Sequence, residues 1–210
     1  MENDEVYTNK SKEKEIVLIQ IFYLFIIPVL LLYYKIIPGD FRSLMLLGVT
    51  VILYGIVKHA KWTLKDIGLI KNWKKDLIPY ALFTGSAVLF LFWLSKITPH
   101  EPLSFWWKNI KFLLLFIPLS VLQEIAFRGI LMNMLIRAFK NPFIVISVNA
   151  LIFALLHIIY LNAIFVLPFT FIAGIGFAWL YFKYPNLIMV SISHSILNFV
   201  AMILGFFILR

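Results

Sequence analysis

FLLLFIPLSVLQEIAFRGILMNMLI, residues Phe112–Ile136, is the stretch whose reading decides the fold. As a helix rising about 1.5 Å per residue it would run for roughly 37 Å, more than the roughly 30 Å hydrocarbon core of a bilayer. Its only charged residues are Glu124 and Arg128. Six further runs have the same character: Ile16–Tyr34, Ser43–Val57, Leu77–Leu94, Pro142–Leu161, Ala163–Tyr181 and Asn186–Leu209. Across the 210 residues, 62% are hydrophobic and 14% charged, and the mean hydropathy is +0.95. A soluble domain carries about 45–50% apolar and about 25% charged residues. A soluble fold of this size cannot enclose so much apolar surface, and disorder would need the opposite composition. A disulfide scaffold is excluded because the chain has no cysteine. The sequence therefore predicts an all-α protein: a polytopic transmembrane helical bundle of about seven or eight spans around a polar intramembrane cavity. Residues 1–15, polar and mixed in charge, read as a cytoplasmic tail, and residues 16–210 as a single membrane domain. No small-residue cleavage site follows the first apolar run, so that run reads as a retained span.

The net charge of +9 does not point to nucleic acid, because the lysines sit beside the apolar runs instead of forming a stripe. That placement suits a lipid bilayer, with basic residues fixing topology and meeting anionic headgroups. With seven spans, the tail, the loop from Lys58 to Asp76, Arg137, Lys140 and Lys183 share one side and supply twelve basic residues, against six on the other. This predicts a multi-pass cell-membrane protein with a cytoplasmic N-terminus. The segment His59–Leu77 interleaves lysines with Trp62, Leu64, Ile67, Leu69 and Trp73. It reads either as an interfacial amphipathic element or as a plain cytoplasmic loop.

Ionisable groups inside a span are costly and mark candidate sites. Glu124 and Arg128 stand at i and i+4, on one helix face, where each partly neutralises the other. Such a pair can lock helix packing or serve a site. His157 and His194 also lie within apolar runs, and Asn198 stands at i+4 from His194. A carboxylate, two imidazoles and an amide from three spans are what water activation needs: a base, a water-holding pair and a donor for a developing oxyanion. The same Glu124, His157 and His194 could hold zinc with one open position, or relay protons in a transporter. A depth count puts Glu124 and His194 near mid-membrane and His157 nearer the outer face, unless a re-entrant break near Pro168 corrects it.

Three motifs, Gln123-Glu124-Ile-Ala-Phe-Arg128-Gly129, Phe153-Ala-Leu-Leu-His157 and His194-Ser-Ile-Leu-Asn198, stand in the order of EExxxR, FxxxH and HxxxN/D. In this the chain resembles the CAAX-protease and bacteriocin-processing family (CPBP, also called Abi) of intramembrane endopeptidases. The helix Phe171-Ile-Ala-Gly174 and the upstream Thr63-Leu-Lys-Asp-Ile-Gly68-Leu69 are similar to elements of that family. The motif core lies within residues 112–200. The resemblance implies a helical fold with a conical cavity open to the cytoplasm and the lipid. It implies catalytic roles for Glu124, His157, His194 and Asn198, with Gln123 and Arg128 supporting. The substrate it implies is a membrane-associated peptide or protein, cleaved in peptide maturation, bacteriocin processing or self-immunity. Zinc at Glu124, His157 and His194 is the one cofactor the family leaves open; no other is implied. The departure is Gln123, where the family has its first glutamate, because an amide cannot act as a general base. The second reading is therefore an inactive family member: an immunity protein, or a scaffold for a partner transporter or sensor kinase.

Overall fold

The computed structural model of the chain describes residues 2–98, 102–108, 110–160 and 162–206, and no strand occurs among them. Helix α1 (Glu2–Ile21) runs through a widened π turn (Phe22–Ile26) into α2 (Ile27–Tyr33). The turn has a local cause: Pro28 has no N–H, and its ring presses on the carbonyl four residues back, that of Leu24. The polar residues of the expected tail are helical and continue the first span. Then follow α3 (Arg42–His59), α4 (Leu77–Ile97) and α5 (Ile110–Glu124). A second π segment (Ile125–Leu131) joins α5 to α6 (Met132–Ala138), and α7 (Pro142–Leu155) closes in a 3-10 turn at Leu156–Ile159. The series ends with α8 (Ala163–Lys183) and α9 (Leu187–Ile203).

Among the described residues six helical segments are long and apolar enough to cross a membrane: Lys12–Tyr33, Gly39–His59, Trp73–Ile97, Leu114–Ala138, Pro142–Ile159 and Ala163–Lys183. Leu187–Ile203 is a shorter apolar helix. The chain is a multi-pass membrane protein with an all-α bundle of about seven helices. The second span, short in sequence, gains length from its flanks. The last helix stops before the expected Leu209: Gly205 adopts φ 80, a conformation glycine takes without strain. The expected limits at Leu161 and Leu209 lie outside the described residues. Helix α8 is continuous through Pro168, so the re-entrant break does not form.

Local chemistry sets the helix starts. Asn141 accepts from the Phe143 N–H at 2.9 Å with Pro142 as first helical residue, and Asn186 accepts from the Met189 N–H at 3.1 Å. Helices α7 and α8 approach closely because Gly174 has no side chain; a Cβ there would lie 3.1 Å from Ala150 Cα. Helix α4 is tied to α9 by Thr84 and Ser193, Oγ1 to Oγ at 2.6 Å. These buried hydroxyls satisfy each other where lipid offers no partner.

The connection from Lys58 to Asp76 folds into a hydrogen-bonded, capped turn. Asp66 Oδ2 accepts from the N–H and the hydroxyl of Thr63, at 2.6 and 2.7 Å. The turn closes through Gly68 N–H to Lys65 O (3.0 Å) and Leu69 N–H to Leu64 O (2.9 Å), with Gly68 at φ 77. A Cβ on Gly68 would collide with the Tyr181 phenol. Asn133 donates to Asp66 O at 2.7 Å, and Asn186 donates to Trp73 O at 2.5 Å and to Asp76 Oδ2 at 3.0 Å. The Arg137 guanidinium lies 4.4 Å from the Trp62 ring centroid. Trp62 and Trp73 pack against the end of the bundle, where two asparagine side chains hold the backbone of the connection and the Arg137 guanidinium covers the Trp62 ring.

Candidate functional site

The π segment after Glu124 places the charged pair. Met132 N–H reaches back five residues to Phe127 O, and Asn149 of α7 donates to the same carbonyl at 2.8 Å. A single π turn inside an α-helix is uncommon and concentrates at functional sites. Asn149 is fully buried, and an amide in the run Val148-Asn149-Ala150 was a signal available in the sequence. Glu124 and Arg128 have no solvent exposure, and Arg128 NH1 donates to Glu124 Oε1 at 2.9 Å.

His194 comes from α9 with its Nδ1 2.6 Å from the same Oε1. The approach lies off the imidazole N–H axis, so it is a close electrostatic contact and not a formed hydrogen bond. His157 sits on the 3-10 turn that ends α7, its Nδ1 3.1 Å from Phe153 O. Carboxylate and carbonyl oxygens can only accept, so each Nδ1 is assigned the proton and each Nε2 is left as an acceptor. The two imidazoles flank one phenyl ring: Phe153 lies 5.2 Å from His157 and 5.4 Å from His194, centroid to centroid. Asn198 donates to Ser120 Oγ at 2.9 Å, and Ser120 passes the bond to Phe116 O at 2.7 Å.

His157, His194 and Asn198 line one cavity of about 360 Å³. Its walls are largely apolar and rich in phenylalanine, with Ser86, Thr98, Asn162 and Thr170 as further polar lining. Ser86 and Phe90 of α4 and Phe165 and Ile172 of α8 both line the cavity and are exposed. The mouth is therefore a lateral gap between α4 and α8. The cavity lies toward the ends of α4 and α9 and the start of α8, in the half of the bundle away from the Lys58–Asp76 connection. A larger groove of about 1160 Å³ runs along the other face of α9, past Trp62, Ile117, Ile125, Ser191 and Ile196. None of the candidate site residues lines it.

The structure thus brings together five side chains in two tiers. Three face the cavity; Glu124 and Arg128 are sealed behind them and line neither space. The expectation of one polar cavity lined by all five gives way to a largely apolar cavity with a buried ion pair behind its wall. Gln123 is half-buried and lines neither space; one residue along a helix turns a side chain by about 100° from Glu124. Among the described residues no group of three His, Cys, Asp or Glu side chains is placed to hold a metal ion. Glu124 Oε1 is already engaged by Arg128 and His194, and both imidazoles pack against the Phe153 ring. Zinc at Glu124, His157 and His194 does not fit this arrangement.

Residues 105–200 match the family model described as Rce1-like, type II CAAX prenyl endopeptidase. This segment carries all three motifs and every residue of the two tiers. The Rce1-like family is one of membrane proteases, which agrees with the resemblance drawn from the motifs. No curated protein and no solved structure matches the chain. Within the matched segment, Phe153 is the motif phenylalanine, and its ring contacts give that position a physical role: it packs against both imidazoles and covers a buried cation. Phe177 and Asn149 also contribute, and neither belongs to a motif.

Proposed function

We propose that the chain is an intramembrane endopeptidase that hydrolyses a peptide bond in a membrane-associated peptide or protein, with histidine as the base. The single observation that carries this reading is the Glu124–His194 contact of 2.6 Å directly behind a cavity that holds two imidazoles and an amide. In this reading Glu124 orients His194 and stabilises it when it gains a proton, a carboxylate's part in a carboxylate–histidine pair. His194 Nε2 takes a proton from a water held in the cavity that both imidazoles line. The water oxygen attacks the carbonyl carbon, and the amide N–H of Asn198 not spent on Ser120 donates to the oxyanion. The tetrahedral carbon then expels the amine, which receives the proton from the imidazolium. Gln123 has no proton-transfer role, so its departure from the motif need not silence the site. The lateral, aromatic mouth suits a substrate segment inserted in the bilayer, and peptide maturation, bacteriocin processing and self-immunity all offer one.

We keep the N-terminus cytoplasmic on the charge count. The cavity then opens toward the lipid and the outer half of the membrane, and the cytoplasm-facing cavity implied by the resemblance cannot also hold. A second reading, an inactive member acting as an immunity protein or as a scaffold for a transporter or sensor kinase, is favoured by Gln123 standing where the family has a glutamate.

The purified chain in liposomes, given quenched fluorescent apolar peptides, should cleave a subset of them. His157→Ala and His194→Ala, present in the membrane at wild-type amounts, should cleave none. Activity surviving in both variants would sink the histidine mechanism. An inert wild type that gains cleavage on Gln123→Glu would establish the second reading.

A further inference from the structure

The Arg128 guanidinium is completely buried, yet only NH1 has a hydrogen-bond partner; Nε and NH2 have none, and neither does Glu124 Oε2. Both partners thus hold unspent atoms suited to a fork-to-fork pair, the stronger arrangement of guanidinium and carboxylate, and still the pair is single-bonded. Two aromatic faces account for it. Arg128 Cζ lies 4.2 Å from the Phe153 ring centroid and 5.2 Å from that of Phe177. A ring face is the negative part of its quadrupole and attracts a desolvated cation. Phe177 also meets His194 at 5.4 Å, lines the cavity, and is braced edge-on by Phe83 at 4.9 Å. Gly176 makes room for that brace, since a Cβ there would strike the Phe83 ring.

We propose that Phe177 is a positioning residue. Its face holds the Arg128 guanidinium turned away from the second carboxylate oxygen, and its contact with His194 fixes the imidazole plane. Glu124 is thereby shared between cation and imidazole instead of being taken over by the cation. Without that face, Arg128 closes onto both oxygens of Glu124, and His194 loses the carboxylate that orients it. The part concerning His194 rests on the hydrolytic reading above; the hold on Arg128 does not.

Two measurements test this. The first is a cycle of unfolding midpoints in lipid nanodiscs. Phe177→Leu, which keeps an apolar side chain but removes the ring face, should lower the midpoint in the native background. It should lower it far less in a Glu124→Leu/Arg128→Met background, where no cation remains. Equal losses in both backgrounds would overturn the proposal and leave Phe177 as plain packing. The second is cleavage. Phe177→Leu should cut kcat about 100-fold, the lower end of what a positioned acid–base group supplies, with KM nearly unchanged, while Phe177→Tyr should restore kcat. A Phe177→Leu enzyme with native kcat would overturn the His194 part. An inert wild type would count against the hydrolytic reading alone, and the unfolding cycle would still decide the hold on Arg128.

Discussion

Removing the Glu124 carboxylate while keeping Arg128 should destabilise the bundle more than removing both. In Glu124→Leu the guanidinium loses its one hydrogen-bonded partner, the NH1–Oε1 contact of 2.9 Å, while staying fully enclosed. Breaking a buried pair by deleting one side costs about 3–5 kcal/mol, whereas replacing the whole pair by apolar residues is often neutral or stabilising. The rings of Phe153 and Phe177 still cover the stranded cation, and a desolvated cation–π contact contributes about 2 kcal/mol, so the loss should fall near the lower end, about 3 kcal/mol. At about 2–4 °C per kcal/mol for a chain of this size, the midpoint should drop by roughly 6–12 °C. Glu124→Leu/Arg128→Met should unfold within a few degrees of wild type. The assay is thermal unfolding in nanodiscs, followed by intrinsic tryptophan fluorescence. If the single and double variants unfold together, the pair is not the coupled buried unit described above.

Three shorter predictions follow from the connection and its orientation. Gly68→Ala should lower the unfolding midpoint by more than an ordinary glycine substitution, because the position needs φ 77 and a Cβ meets the Tyr181 phenol. The Asp66 carboxyl is held below its ordinary value of 3.8, first by the backbone N–H of Thr63 and then by the Thr63 hydroxyl. A depressed pKa in the folded state means the cap is complete above the ordinary value and is lost as pH falls through the lowered one; NMR of the Thr63 amide should show its hydrogen bond surviving below pH 3.8 and disappearing only in stronger acid. Cysteines placed at Lys65 or Lys71, in a chain with no native cysteine, should resist impermeant thiol reagents in intact cells, and labelling from outside would reverse the orientation.

The sequence made the bundle legible because span length and apolar composition are collective signals that survive one misplaced boundary. Glu124, Arg128, His157, His194 and Asn198 were legible for a related reason: polar atoms in apolar runs stand out wherever the helix boundaries fall. Their division into two tiers was not, because facing depends on the π turn at Ile125–Leu131, and nothing in its composition separates it from an α-helix. Phe177 was hidden among 21 phenylalanines, where an aromatic carries no signal until its neighbours are known. Asn149 could have been found by the rule that exposed Glu124. In the Lys58–Asp76 connection, lysines and tryptophans suggested a lipid-facing role. Thr63 three residues before Asp66, followed by Gly68, was the pattern that mattered, since it dictates a capped turn folded onto the bundle.

The central claim is that His194, oriented by Glu124, activates water at the cavity. Its most direct measurement is mass spectrometry of peptide products made by the purified chain in liposomes in water enriched in oxygen-18. The account predicts a single heavy oxygen in each new C-terminal carboxylate with the wild type, and no such product with His194→Ala at equal membrane amounts. Labelled product from His194→Ala at the wild-type rate would contradict it.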